Sequence, residues 1–275
     1  MRLHPTLLLA LWLFACGKPE TPDAGTDAGP VDSGTPNPPV CLPDTFDAGP
    51  ASDAGNDFSC RGRAPGTGGQ AELVITGKAT QAGFTRTPIV GVTIDLLGSD
   101  GTVLASTITG DGGLYRLTWD AGCLPLDGEV RATHPPSDAG FALAYASPPS
   151  PWRYDRSNLE LVLFDESTSR LAAALANVTL VDGGAVLAMT VDDCKADPVE
   201  GALVSTTGGV GAIRYVGAAG LPTATQTSTS ASGELVIFNL PGDSVEVTAT
   251  LDGGVISQRV VRVHADAATG TSLEP

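Results

Sequence analysis

The chain reads as a mainly β protein: two tandem β-sandwich domains behind a disordered N-terminal tether, with one short linking helix. Three observations predict this. Beyond residue 70, short β-branched runs such as AELVITGKAT, VGVTIDLLG, TVLASTITG and LYRLTWD are separated by Gly, Asp and Pro, the signature of a sandwich with a turn roughly every ten residues. The same pattern of Pro, Gly and Thr then returns a second time. Residues 17–69, by contrast, have few large apolar side chains, so no core there offsets the entropy of ordering the chain.

The first element is a leader, residues 1–15. Met1-Arg2 supplies one positive charge and Leu7 to Ala15 is an unbroken apolar run. That run is too short for a membrane span, which needs ~20 residues, and fits the apolar region of a secretory signal, ~7–15 residues. It ends in Leu13-Phe14-Ala15-Cys16, which resembles the lipobox of bacterial lipoproteins, with Phe14 bulkier than the usual occupant. The resemblance implies cleavage before Cys16, a diacylglycerol on its sulfur and an acylated amine, so that membrane lipid is a partner. Two or more chains hold a protein stably where one holds it marginally. Gly17 is not the Asp that retains many such lipoproteins in the inner membrane. The expectation is therefore an outer-membrane lipid anchor, facing periplasm or cell surface.

The tether follows, residues 16–69. Asp-Ala-Gly recurs at Asp23, Asp27, Asp47 and Asp53 among many Pro residues. Proline biases the backbone towards polyproline II, and repeated Asp charges push it outward. The repeats lack the regular Gly-and-Asp spacing of calcium-binding arrays, so they read as a solvated spacer.

The first sandwich spans 70–135 and the second 185–275. PIVGVTI (Pro88 to Ile94) shares its frame with PVEGALV (Pro198 to Val204), TGDGGLYRL from Thr109 with TSASGELVI from Thr229, and EVRAT with EVTAT. Gly113 and Gly233 each precede an apolar strand and suit the positive φ of a tight hairpin. Between the copies, 136–184 holds a linking strand, NLELVLF, with Leu159, Leu161 and Leu163 on one face. A short helix, DESTSRLAAALAN, comes next, capped by Asp165 or Ser167 and ended at Asn177.

These residues carry a second resemblance. Gly77, Pro88, Gly91, Ile94, Thr109, Asp111, Gly113, Tyr115 and Ala132, and again Pro198, Gly201, Val204, Thr229, Gly233, Leu235 and Ala249, follow an order similar to the carboxypeptidase regulatory-like domain. That family implies a seven-stranded Greek-key sandwich of transthyretin-like topology. Leu235 stands where an aromatic is usual, and STTGGVGAIRYVGAAG is an insertion in the second copy.

Charge and cysteines limit the function. A formal charge of −16 repels phosphate backbones and argues against nucleic acid. With Cys16 set aside, Cys41, Cys60, Cys123 and Cys194 remain of five cysteines, an even set that suits two disulfides in an oxidising compartment. Three pairings are possible; local closure favours Cys41 with Cys60, leaving Cys123 with Cys194. Catalytic constellations do not form. After the leader only His134 and His264 remain, too few for the zinc set of a metallopeptidase or the iron set of an intradiol dioxygenase, and both read as surface residues. No G-x-S-x-G elbow occurs. Cys194 lies among carboxylates, which raise a thiol pKa. Asp111, Asp192, Asp193 and Asp197 read as surface turn residues before calcium ligands. The expectation is a chain that is no enzyme, with no cofactor and no metal: a membrane-anchored structural or adhesive display module. The alternative is an accessory module binding an envelope glycan or a peptide, with PWRYD (Trp152 and Tyr154) as the glycan-facing patch or, more simply, an aromatic plug.

Overall fold

The structure, a computed structural model, describes residues 41, 56–61, 68–82, 86–134 and 143–275. The leader, Cys16 and most of the tether lie outside the described residues. Along the chain run β1 (Glu72–Gln81), β2 (Thr87–Pro88), β3 (Thr93–Gly98), β4 (Val103–Ile108), β5 (Leu114–Asp120), β6 (Gly128–Thr133), β7 (Leu143–Ala146), β8 (Arg156–Leu163) and α1 (Glu166–Leu175). Then follow β9 (Ala185–Val191), β10 (Leu203–Thr206), β11 (Ala212–Val216), β12 (Pro222–Thr223), β13 (Glu234–Leu240), β14 (Asp243–Leu251), β15 (Gly254–Val263) and β16 (Ala267–Leu273).

The internal repeat is a repeat of pairing. In the first copy β1 lies between β5, antiparallel, and β8, parallel. In the second, β9 lies between β13, antiparallel, and β16, parallel. The facing sheets match too, β3–β6–β7 against β10–β14–β15. The copies differ at one strand. β4 pairs with β3, whereas β11, within the sequence insertion, pairs with β13 in the opposite sheet.

β7 and β8 therefore belong to the first sandwich, and its strands run on to Leu163. Of 136–184, read from the sequence as a linking strand and helix packing between the sandwiches, β8 pairs within the first sandwich and α1 follows it. Leu161 and Leu163 are buried in the first core with Leu159 packed against them, as the one-face reading requires. β8 joins the sheet beside β1 by a parallel pairing, which needs a long connection and gives no hairpin signal in the sequence.

The two sandwiches are not separate bodies on a string. β16 pairs in parallel with β9 on one side and with β7 on the other. This fuses one sheet from each copy into nine strands, in the order β12-β11-β13-β9-β16-β7-β6-β3-β4. The register Ala188–Gly270–Ala146–Val130–Leu96 runs along one face and Leu187–Thr269–Tyr145–Arg131–Asp95 along the other. Ala146, Val130 and Leu96 sit in the first core; Leu187 sits in the second. The shared sheet thus buries opposite faces in its two halves. Where β13 (ELVIFNL) crosses, Leu235 and Ile237 enter the second core. Val236 and Phe238 pack under α1 and the residues around it, which is why this strand shows no alternation.

Helix α1 rests on the reverse face of the second half-sheet through Ala173 and the following Ala176. Asp165 caps it, accepting from the Thr168 amide at 2.6 Å. Asn177 takes a left-handed φ of 54° just past its end, and Arg214 donates from Nε to the Ala176 carbonyl at 2.7 Å, placing a cation at the negative end of the helix dipole.

Candidate functional site

The site is built outward from the two disulfides. Cys41 joins Cys123 and Cys60 joins Cys194, with Cα–Cα distances of 5.3 and 5.7 Å. All four predicted cysteines are paired, but the expected Cys41–Cys60 and Cys123–Cys194 bonds are corrected. Local closure loses because residues 56–61 have partners of their own in the second sandwich. The Asp57 amide donates to Asp193 Oδ2 at 2.8 Å, and the Cys194 amide donates to the Asp57 carbonyl at 2.7 Å. Phe58 packs against the second core. The stretch read as a solvated tether up to residue 69 is therefore docked from Asn56 to Arg61. One disulfide reaches each sandwich, Cys123 just beyond β5 and Cys194 in the turn after β9.

Asp193 organises this dock. It is buried, and Oδ1 accepts from the Lys195 and Asp197 amides while Oδ2 accepts from Asp57. It is no surface turn residue, as the sequence reading had it; three backbone donors compensate for its burial. Asp192 beside it is also buried, and its carboxyl is pushed up by desolvation and by the charges of Asp193 and Asp197, against the pull of the Thr190 hydroxyl. Glu274 is raised by burial and by Asp192. Among the described residues, no group of three or more His, Cys, Asp or Glu is arranged to hold a metal ion.

A second polar assembly lies where β15 meets the shared sheet. His264 Nε2 is 2.9 Å from Glu129 Oε2, and its ring stacks on Tyr145 at 3.7 Å. Arg131 is paired with Asp95 at 2.7 Å. His264 is thus held between the sandwiches, although Val261 and Val263 beside it point inward as expected. Arg259, in the same strand, reaches Ser147 Oγ, the Pro148 carbonyl and Thr271 Oγ1. The Thr271 hydroxyl and the Ser272 carbonyl of β16 accept from this guanidinium, which ties β15 to a strand of the unpromising sequence AATGTSL.

Trp152 is 6% exposed, donates from Nε1 to the Gly128 carbonyl at 3.0 Å and belongs to the first core. It offers no face to a glycan. Tyr154 is exposed, so the two residues do not form a joint stacking surface. What the sequence reading missed is a groove of about 740 Å³ beside α1, lined by both that helix and the shared sheet. Its one sequence signal is the unbroken apolar run of β13, which demands cover on both faces.

No protein family matches the chain, and no curated protein matches it. Similarity appears among solved structures. The TIE protein of Bacillus anthracis is 10% identical with a TM-score of 0.24; the match covers 74% of this chain, which spans 33% of that one. The shaft pilin SpaA of Lactobacillus rhamnosus GG is 14% identical with a TM-score of 0.22, covering 74% of this chain and 98% of that one. The major pilin RrgB of Streptococcus pneumoniae is 11% identical with a TM-score of 0.22, covering 76% and 49%. Such scores are too low to carry an argument about function. The architecture itself is plain: a mainly β chain of two open sandwiches with one α-helix among the described residues.

Proposed function

We propose that the chain is an exported, lipid-anchored module of the bacterial envelope, whose fused sandwiches form a rigid, non-catalytic body for display or adhesion. The observation that carries this reading is the cysteine count. Four of the five cysteines are consumed in two disulfides, which supports an oxidising compartment. Cys16 is the odd one, directly behind an apolar run. Two crossing disulfides fix residues 41 and 60 to different sandwiches. The candidate catalytic groups are occupied structurally: Cys194 is bonded, Asp193 holds backbone amides, and His264 lies between Glu129 and Tyr145. The carboxypeptidase regulatory-like assignment belongs to the same proposal, supported by the repeated strand pairings and by Pro88, Gly91, Thr109 and Gly113 recurring as Pro198, Gly201, Thr229 and Gly233.

The test is incorporation of labelled palmitate in the native host, with fractionation. Wild type should label and sediment with the outer membrane, whereas Cys16→Ser should do neither. A soluble wild type, or a mutant that still labels, overturns the anchor. The accessory-module reading, with an envelope glycan as ligand, keeps only Tyr154 from its aromatic patch. A glycan array probed with wild type and Tyr154→Ala decides it, since a glycan whose binding is lost in the mutant would revive it.

A further inference from the structure

Beside α1 lies the groove of about 740 Å³, a volume within the ~300–1,000 Å³ of ligand sites. Its floor is the buried Ala188, Val236 and Phe238 of the shared sheet, and its accessible apolar surface comes from Val178, Val181 and Val186, opposite Ser169 of the helix. Asn239 holds the stretch 178–182. Its Nδ2 donates to the Thr179 carbonyl at 2.8 Å and its Oδ1 accepts from the Val181 amide at 3.0 Å. Successive residues of an extended chain turn their backbone groups to opposite sides, so the N–H and C=O of Leu180 face away from Asn239. The Val178 N–H, which shares their direction, donates to the Ala173 carbonyl of α1. The Leu180 pair therefore faces the helix side, and among the described residues neither of its groups has a hydrogen-bond partner. A backbone donor and acceptor left bare beside apolar surface make the start of a strand-pairing edge.

The groove's charge is negative. Glu166, Asp182 and Asp266 line it against one cation, Arg170, and Arg170 is already engaged with Glu166 at 2.5 Å. Asp266 turns one oxygen to the Gly183 amide at 2.8 Å, and Asp182 is exposed. An anionic ligand is repelled here, and a purely apolar one leaves the Leu180 groups unpaired.

We propose that this groove binds an extended segment of a partner protein, apolar on one side and carrying Lys or Arg. The segment pairs with Leu180 through its backbone. It lays its apolar side chains against Val178, Val181 and Val186, and it sets its cation by Asp182 and Asp266. This goes beyond the tethered-display reading and stands without it, because Cys16 takes no part.

The probe is a fluorescein-labelled peptide of alternating lysine and valine, with a glutamate–valine peptide as control, titrated into the purified full chain and read by anisotropy. The lysine peptide should bind, weaken with added salt, and leave the glutamate peptide unbound. A charge of −16 attracts any cation, so two variants decide the matter. Asp182→Lys should weaken binding by about tenfold, as expected for one lost charge contact, and Ser169→Trp, which fills the groove from the helix, should abolish it. Both should keep the wild-type unfolding midpoint; Asp182 is exposed, so its variant serves even where Ser169→Trp disturbs the helix. Lysine-peptide binding unchanged in Asp182→Lys and in a folded Ser169→Trp overturns the proposal. So does equal binding of the two peptides, or no binding up to about millimolar concentration, where affinity falls to ~4 kcal/mol.

Discussion

Thr109 and Thr229 hold equivalent turns in the two sandwiches by the same three contacts. Each hydroxyl donates to a carbonyl (Ile89 or Val199, at 2.8 and 2.7 Å) and accepts from an amide (Val92 or Ala202, at 3.0 and 2.8 Å). Each backbone carbonyl also accepts from Gly91 or Gly201, at 3.0 and 2.9 Å, and those glycines have φ of 84° and 83°. Thr229→Val keeps the shape but strands a buried amide and carbonyl, so it should cost about 1–3 kcal/mol, read as a lower urea midpoint at unchanged slope. A midpoint equal to wild type would mean that water replaces the hydroxyl. Asp192 provides the pH test. Burial raises its folded pKa above the unfolded value, so stability is full below the ordinary carboxylate pKa and declines as pH rises through the raised one. Asp192→Asn can still accept from Thr190, and should match wild type near pH 3 and exceed it increasingly towards pH 7. An Asn variant that is less stable at neutral pH would show that the charge itself is needed.

At the scale of elements, α1 shows how local chemistry was read correctly while its surroundings were not. Asp165, the Ala- and Leu-rich body and Asn177 all announce the helix and its ends. Asp165→Ala removes the bond to Thr168 and should cost about 1 kcal/mol, the usual worth of an N-cap. Backbone and hydroxyl donors hold the Asp165 carboxyl down to about 2. The cap's contribution should therefore be fully present above pH ~4 and fade only as pH falls towards 2, seen as wild type and Asp165→Ala converging in acid melts. Curves that stay parallel down to pH 2 would show that Asp165 stabilises by some route other than its charge. The sheet on which α1 rests was not legible, because an apolar run such as β13 reads the same whether its second face meets a helix or a second sheet.

For the whole molecule, the disulfides make the sharpest prediction. They close loops with sequence separations of 82 and 134. Chain entropy assigns about 4.5 and 5 kcal/mol to loops of that size, against ~3 for the short Cys41–Cys60 loop; the real loops overlap, so their effects do not simply add. Peptide mapping without reduction should give Cys41–Cys123 and Cys60–Cys194 peptides. A Cys41–Cys60 peptide would free the docked segment again. Limited proteolysis should leave residues 56–61 attached to the core under oxidising conditions, and release them once Cys60 and Cys194 are both replaced by Ser.

The amino-acid pattern by itself determined the β class, the doubled plan, the capped helix and that Cys41, Cys60, Cys123 and Cys194 are all paired. The class and the helix follow from information within a few tens of residues: turn glycines, β-branched runs, a cap. The doubled plan and the even cysteine count follow from comparing residue types along the chain, with no knowledge of what touches what. Tertiary structure alone decided which cysteines meet, that 56–61 is docked, that Trp152 is core, and that β16 joins two sandwiches into one sheet. Most of those outcomes depend on contacts between residues far apart in the chain, such as Asp57 with Asp193, Cys41 with Cys123 or Thr269 with Tyr145. Parallel pairing and burial on opposite faces leave no periodic mark in the sequence.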